Sequence, residues 1–236
     1  MITSAHNPRL RLVRRLRSRR QREREGQFVA EGEDVVAAAL AEGIEPVFAL
    51  VDAERPAPLD VDGEPIEPEL LADVSTLGHP PRVIAVFRGD DLPAGARDAN
   101  LALWRVADPG NVGTLLRAAD AFDAGLALSA GCADPRGPKA VRASAGALFR
   151  VPLARFDEAA GRRIALAVRD GGPLADLDLQ LPVTFVLGSE REGLPEDVLA
   201  ACDAIGSIPQ AGPAESLNVA MAGTIALYEL AREASA

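Results

Sequence analysis

Short apolar segments alternate with helical stretches along this chain, and this alternation restricts the possible folds more than any other feature. In the second half the apolar segments predict strands at Leu101–Val106, Leu126–Ser129, Ile164–Val168, Val183–Leu187 and Ala204–Ile208. Helices are predicted at Gly113–Ala124, Pro138–Leu148, Glu196–Ala201 and Leu217–Arg232. Because strands that are apolar throughout and joined by helices are buried on both faces, we expect an α/β fold with a parallel sheet.

The first half shows the same alternation on a smaller scale. Its predicted elements are a helix at Pro8–Arg24, a strand at Phe28–Glu31, a helix at Glu33–Glu42, a strand at Pro46–Val51, a helix at Glu69–Leu77 and a strand at Arg82–Phe87. The proline-rich stretch Arg55–Pro68 is predicted to be a loop. Gly89–Asn100 is rich in Gly, Pro, Ala and Asp, which is typical of a linker. We therefore expect two domains, residues 1–95 and 96–236.

The charge of the chain is divided between a basic N-terminal arm and an acidic body. Residues 1–26 contain nine arginines and two glutamates, a net charge of +7, so the total of −10 leaves −17 on the other residues. Arginine suits phosphate contacts, which predicts RNA binding. A solvated helix face, or arginine enrichment from biased codon usage, explains the charge equally well without the motifs described below. The arginines proposed for RNA binding are Arg9, Arg11, Arg14, Arg15, Arg17, Arg19 and Arg20.

Composition excludes several other classes of protein. There is no run of eighteen apolar residues, so no membrane span is predicted. The basic N-terminus lacks the apolar core of a signal peptide, and we expect a cytoplasmic protein. The only cysteines are Cys132 and Cys202, and the only histidines are His6 and His79, so no transition-metal site is predicted.

The first loop whose residues could form a functional site is Asp108–Arg117, which follows one predicted strand and opens a helix. Ligands of open α/β sheets bind beyond the carboxyl ends of strands, where helix N-termini present free amides. On that helix Arg117 lies opposite the apolar face and could point into a pocket. By spacing alone, a surface ion pair between Arg117 and Asp120 explains this arginine better.

Two more loops follow strands in the same way. Phe185–Leu194 runs from a strand into a glycine-rich turn that carries Glu190, which could instead cap the next helix. Ile208–Val219 leaves a strand and enters the last helix, where Ser216 and Asn218 are also good capping residues. One such loop means little, but three that converge at one sheet edge indicate a site.

Together these loops resemble the SpoU (TrmH-like) family of RNA 2′-O-ribose methyltransferases, of the SPOUT class. The motif N-x-G-x-x-x-R-x-A-x-x-F is matched by Asn111, Gly113, Arg117, Ala119 and Phe122. The motif L-G-x-E-x-x-G-L is matched by Leu187, Gly188, Glu190, Gly193 and Leu194. The motif I-P-x-x-G-x-x-x-S-L-N-V is matched by Ile208, Pro209, Gly212, Ser216, Leu217, Asn218 and Val219. Val141–Pro152 also follows the family, while Gln210 and Asp123 depart from its usual Met and Gly.

The resemblance carries expectations about fold and partners. It implies a trefoil-knotted SPOUT domain, a homodimer and S-adenosylmethionine as methyl donor. The segments Ile2–Pro8 and Phe28–Gly32 are similar to the family's L30e-like RNA-binding extension. This basic extension is more typical of members that modify ribosomal RNA than of compact tRNA enzymes, so 23S rRNA is the preferred substrate and tRNA the alternative.

The resemblance also assigns roles to residues. Arg117 would help to remove the proton of the ribose hydroxyl, with Asn111, Glu190, Ser216 and Asn218 arranged around it. The cofactor would contact Leu187, Gly188, Gly193, Ile208, Ser216 and Leu217. Because a free guanidinium is protonated at neutral pH, either transient deprotonation of Arg117 or orientation of the hydroxyl by Arg117 is possible.

Two functions from other classes compete with this interpretation. One is a non-catalytic RNA-binding paralogue, against which the intact motif residues argue. The other is a nucleotide-binding enzyme that acts on small molecules, but the sequence has neither a Walker-type loop nor a Rossmann glycine triplet.

Overall fold

The computed structural model describes residues 1–55, 57–168, 171–212 and 216–234, and the chain divides into two units. The first unit comprises Met1–Leu92 together with Asp134–Arg150, and the second comprises Pro93–Ala133 together with Val151–Ala236. The segment Asp134–Arg150 thus groups with the N-terminal unit, although it lies within the second predicted domain. The domain limits 1–95 and 96–236 stay a prediction. No helix in the described ranges is long and apolar enough to cross a membrane.

The first unit is built on a four-stranded sheet of order β1-β4-β2-β3. Its strands are β1 (Gln27–Glu31), β2 (Phe48–Asp52), β3 (Gly63–Ile66) and β4 (Val83–Arg88). β4 is antiparallel to both β1 and β2, whereas β3 is parallel to β2. Its helices are α1 (Pro8–Leu16), α2 (Arg19–Glu25), α3 (Glu33–Ala41), α4 (Pro68–Val74) and α6 (Pro138–Ser144). The intervening helix α5 (Pro109–Ala121) belongs to the second unit.

β3 corrects the prediction of a loop over Arg55–Pro68. The strand contains Pro65, which cannot donate to a ladder, and it lies at the edge of the sheet, where proline is tolerated. The carbonyl of Pro65 accepts a hydrogen bond from the backbone N–H of Ile2 (2.7 Å), which joins the N-terminus to this edge.

The basic arm forms two helices rather than the single predicted helix Pro8–Arg24. α1 buries Leu10, Val13 and Leu16 in the core beside the sheet, as their spacing predicted. The chain then breaks at Ser18, which is extended (ψ 131°), before α2 begins. Arg22 explains the break, because its guanidinium donates to the carbonyls of Leu16 (2.8 Å) and Arg17 (2.9 Å) at the end of α1.

Arg22 also forms a buried ion pair in the first unit. Its Nε lies 2.8 Å from Oδ2 of Asp134, and both side chains are almost fully buried (5% and 6% exposed). This pair fastens the start of the segment 134–150 to α2. Further along the same segment, the Phe149 ring packs against Phe28 (6.0 Å between centroids) and Phe87 (5.1 Å).

The second unit contains a seven-stranded sheet whose neighbouring strands are all parallel, which confirms the predicted fold class. Its order is β7-β6-β5-β10-β8-β11-β9. The strands are β5 (Ala99–Leu103), β6 (Gly125–Leu128), β7 (Leu153–Arg155), β8 (Arg162–Leu166), β9 (Gly172–Pro173), β10 (Val183–Leu187) and β11 (Ala204–Ser207). The helices are α5 (Pro109–Ala121), α7 (Glu196–Ala200) and α8 (Val219–Ala234). β7 and β9, with three and two residues, were not predicted.

The order of this sheet contains a switch point between β5 and β10. From β5 the chain proceeds outward to β6 and β7, whereas β8 lies two places away on the other side, and β10 later fills the gap. Ligands of open parallel sheets bind at the carboxyl ends of the strands beside such a point. The loops after β5 and β10 are the first two of the three loops predicted to carry chemistry.

Candidate active site

The loop after β5 is held by Asp108, which caps α5. Its Oδ1 accepts hydrogen bonds from the backbone N–H groups of Gly110 (2.7 Å) and Asn111 (3.0 Å), and Pro109 occupies the first helical position. Both features stabilise a helix N-terminus. They fix Asn111 in the first turn of α5, directly beyond the carboxyl end of β5.

The loop after β10 is a tight turn closed by its own backbone. Ser189 and Gly193 exchange two backbone hydrogen bonds of 3.1 Å each, and Gly193 has φ +67°. A Cβ on Gly188 would lie 2.2 Å from the carbonyl carbon of Gly193 and 2.5 Å from the backbone N of Leu194. Only glycine fits at position 188, and the turn presents Glu190 to solvent.

The third loop ends at Asn218, the capping residue of α8. Its Oδ1 accepts from the backbone N–H groups of Ala220 (2.9 Å) and Met221 (3.3 Å), so this helix begins at Val219. α8 lies close against α5, because a Cβ on Gly223 would come within 2.5 Å of Cδ2 of Leu115. This close approach sets the cap of α8 beside the first turn of α5.

Hydrogen bonds between side chains join the three loops. Nδ2 of Asn218 donates to Oδ1 of Asn111 (3.0 Å), and Nδ2 of Asn111 donates to Oε1 of Glu190 (2.8 Å). Residues 107 and 79 positions apart in the chain therefore form one polar row. Asn218 both caps α8 and contacts Asn111. Glu190, by contrast, does not cap the next helix, since α7 begins after Pro195 with no side-chain cap.

Arg117 lies apart from this row. It is exposed on α5, about 9 Å along the helix axis from Asn111, and about 20° around the helix from Gly110. Among the described residues its side chain has no hydrogen bond or ion pair, so the surface pair with Asp120 is not formed. The structure thus brings together Asn111, Glu190 and Asn218, and leaves the Arg117 guanidinium unengaged.

The residues predicted for cofactor binding lie along the same sheet edge. Leu187 is buried at the end of β10, and Ile208 and Leu217 are half-buried on either side of the third loop. Ser216 is exposed two residues before Asn218, and residues 213–215 lie outside the described ranges. One polar residue was missed by the motif prediction: Gln210 has a buried Oε1 without a hydrogen-bond partner among the described residues. Its departure from the usual methionine was the only signal.

Most arginines of the basic arm have partners within the first unit. Arg9 pairs with Glu64, Arg14 with Asp73, Arg15 with Glu25 and Arg19 with Glu23, while Arg17 donates to the carbonyls of Asp73 and Ser75. Within the described chain only Arg11 and Arg20 of the seven predicted RNA-binding arginines are exposed and without a partner. Across these same ranges, no three His, Cys, Asp or Glu side chains are grouped so that they could hold a metal ion.

Comparisons with known proteins identify the family of this chain. Residues 98–228 match the SpoU rRNA Methylase family, and residues 7–85 match the MRM3-like substrate binding domain. An uncharacterized tRNA/rRNA methyltransferase of Synechocystis sp. is 33% identical, over 98% of this chain and 93% of the relative. The 23S rRNA (uridine(2479)-2'-O)-methyltransferase of Streptomyces viridochromogenes is 32% identical, over 92% and 87%.

A solved structure supports the same relationship. The AdoMet-bound rRNA methyltransferase of Sinorhizobium meliloti superposes with a TM-score of 0.84 at 31% identity, covering 98% of this chain and 97% of that one. Sequence motifs, the parallel sheet and these relatives agree. The chain belongs to the SpoU rRNA methylase family.

Proposed function

We propose that this chain transfers the methyl group of S-adenosylmethionine to the 2′-hydroxyl of a ribose in 23S ribosomal RNA. The observation that carries the proposal is the polar row of Asn218, Asn111 and Glu190, which joins three motif loops at the switch point of the parallel sheet. The rRNA substrate is supported by the names of the Streptomyces and Sinorhizobium relatives. Transfer to tRNA is the alternative substrate, and a non-catalytic RNA-binding protein is the alternative function.

The loops after β10 and β11 fit the cofactor. Gly188 lets the turn after β10 fold back on itself, and Gly193 has open space where a side chain would lie, so a flat ligand can approach the backbone there. The buried Oε1 of Gln210, which has no hydrogen-bond partner among the described residues, offers an acceptor that a ligand amino group would satisfy. Leu187, Ile208 and Leu217 would supply apolar contacts, and Ser216 a hydroxyl. When bound, S-adenosylmethionine supplies an electrophilic methyl group on a sulfonium.

The remaining residues would bind and orient the ribose. We propose that Arg117 contacts the 2′-hydroxyl and holds it in line with the methyl group, because it is an exposed cation on α5, the helix that also carries Asn111. The hydrogen bond between Asn111 and Asn218 joins the first turn of α5 to the cap of α8, and Glu190 anchors the loop that would cover the cofactor. Holding a weak nucleophile in line is the main contribution that such a site can make.

We also propose that the protein is a homodimer with a trefoil-knotted second domain. α8 exposes Met221 (61%) and Tyr228 (55%), and the half-buried Ile225 lies between them on the same face. Residues at i, i+4 and i+7 form a continuous apolar stripe, which a second copy would cover. A cytoplasmic location goes with an rRNA substrate.

Two measurements on the wild type and Arg117→Ala test the function. Calorimetric titration should give S-adenosylmethionine binding to both proteins. Transfer of labelled methyl to unmodified 23S rRNA should occur with the wild type and fall by at least about a thousandfold with R117A. The charge-matched control Arg97→Gln, at the amino end of β5, should behave as the wild type. Absence of cofactor binding would favour the non-catalytic alternative. Methyl transfer to tRNA but not to 23S rRNA would show that tRNA is the substrate.

A further inference from the structure

Arginines without an internal partner are concentrated at one place in the second unit. Among its described residues, Arg105, Arg117 and Arg191 have side chains with neither a hydrogen bond nor an ion pair. All three follow β5 or β10, the adjacent strands at the switch point. The other described arginines of the unit are engaged: Arg97, Arg155, Arg162, Arg163 and Arg232.

Arg105 has an unusual backbone for its residue type. Its φ is +54°, in the left-handed region that favours glycine. The other two such residues in the described ranges, Asp123 and Ala145, lie at the C-terminal ends of helices, where this conformation is common. Arg105 instead follows a strand, so helix termination does not explain it. A long cationic side chain is present where glycine would be less strained.

Two neighbouring loops hold Arg105 in this conformation. Its backbone N–H donates to Oγ of Ser129 (2.9 Å), in the loop after β6. Its side chain runs beside Gly131, where an added Cβ would lie 3.4 Å from both Cγ and Nε of Arg105. On its other side, the N–H of Trp104 donates to the carbonyl of Leu187 (2.8 Å), immediately before Gly188. Arg105 is therefore fixed next to the loop proposed to bind the cofactor.

We propose that Arg105 binds a backbone phosphate of the RNA beside the ribose that is methylated, an inference that rests on the proposed function. The second unit contains 17 acidic residues and 9 arginines, so its net negative charge repels RNA. Attraction is expected only around arginines that have no acidic partner. A guanidinium matches a phosphate in shape and charge, and phosphate contacts set the position of a nucleic acid on a protein. Arg105 is thus a positioning residue for the substrate strand, and exposed Arg191 lies across the switch point from it.

The test compares Arg105→Gly, Arg105→Gln and the control Arg97→Gln. Glycine adopts φ +54° readily, so R105G removes the cation without adding backbone strain. R105Q and R97Q remove one charge each, at opposite ends of β5. For every protein, binding to an unmodified 23S rRNA transcript is measured between about 50 and 200 mM salt, with calorimetric titration of S-adenosylmethionine alongside.

Both Arg105 variants should bind the transcript about tenfold more weakly than the wild type at low salt. The slope of log affinity against log salt should fall by about 0.7–0.9, while R97Q keeps the wild-type slope. Cofactor affinity and the melting temperature of R105G should stay unchanged. An unchanged slope for R105G, an equal fall for R97Q, or weakened cofactor binding with an unchanged slope would each overturn the proposal. If the wild type binds RNA but transfers no methyl group, the proposed function is contradicted. The salt slopes of the Arg105 variants would still show whether Arg105 binds a phosphate of the RNA.

Discussion

Substitution of Asn218 separates the two tasks of its side chain. Oδ1 caps α8 through Ala220 and Met221, whereas Nδ2 donates to Asn111 and so joins the last loop to the first. Asn218→Ala removes both interactions. Asn218→Asp keeps an acceptor at the cap, where a negative charge is also favourable, and removes only the donor.

The two variants should therefore differ in stability. Loss of the cap costs about 1 kcal/mol, and loss of an exposed hydrogen bond costs about 0.5–1 kcal/mol. At about 2–4 °C per kcal/mol for a chain of this size, N218A should melt roughly 3–8 °C lower, and N218D roughly 1–4 °C lower. In N218D the new carboxylate faces Oδ1 of Asn111, and if the Asn111 amide flips to donate to that carboxylate, its oxygen faces Glu190 instead. The loop that carries Glu190 is then less well held, and kcat/KM for methyl transfer should fall at least about tenfold.

Melting curves and methyl transfer to unmodified 23S rRNA measure the two effects separately. Asn7→Asp is a matched control, because Asn7 caps α1 through the backbone N–H of Arg9 (2.8 Å) and lies outside the proposed site. It should leave transfer unchanged. Full activity of N218D, or loss of activity only in proportion to lost stability, would refute the idea that the polar row organises the site.

Three further predictions follow from single contacts. Gly188→Ala places a Cβ against backbone that cannot yield, so S-adenosylmethionine affinity should fall at least about tenfold in a calorimetric titration; wild-type affinity would contradict this. Arg11→Gln with Arg20→Gln should lower the salt slope of RNA binding by about 1.5, that is about 0.7–0.9 for each arginine. Arg14→Gln should lower it by less than that share, because Arg14 already pairs with Asp73; a fall of about 0.7–0.9 for Arg14→Gln would contradict this. Arg22→Met leaves the buried Asp134 with only the longer ion pair to Arg136 (3.5 Å) and should cost about 3 kcal/mol in urea unfolding, whereas a loss below about 1 kcal/mol would show that the Arg22 pair contributes little.

The parts of the fold set by local sequence were predictable. Apolar strands such as Val183–Leu187 appear where their pattern placed them, and the turn after β10 is dictated by two glycines. The grouping of Asn111, Glu190 and Asn218 was also expected, because the carboxyl ends of parallel strands share one edge. Because the topology of a parallel sheet brings these distant residues together, the local sequence pattern was sufficient to predict that they group.

Features that depend on a particular distant partner were not predictable. The break at Ser18 depends on Arg22, whose other partner Asp134 is 112 residues away in the chain. The same holds for the basic arm, where Arg14 is neutralised by Asp73 at the end of α4. Removal of residues 1–24, an obvious test of the arm from sequence, would also remove the core residues of α1. Substitution of Arg11 and Arg20 avoids that loss.

The most direct test of the proposed reaction is the chemical position of the transferred methyl group. Unmodified 23S rRNA is incubated with the protein and S-adenosylmethionine, digested to nucleosides and analysed by mass spectrometry. We expect one 2′-O-methylnucleoside with the wild type and with R97Q, and none with R117A. A methyl group on a base, or an unchanged yield with R117A, would contradict the assignment of this sheet edge to ribose methylation.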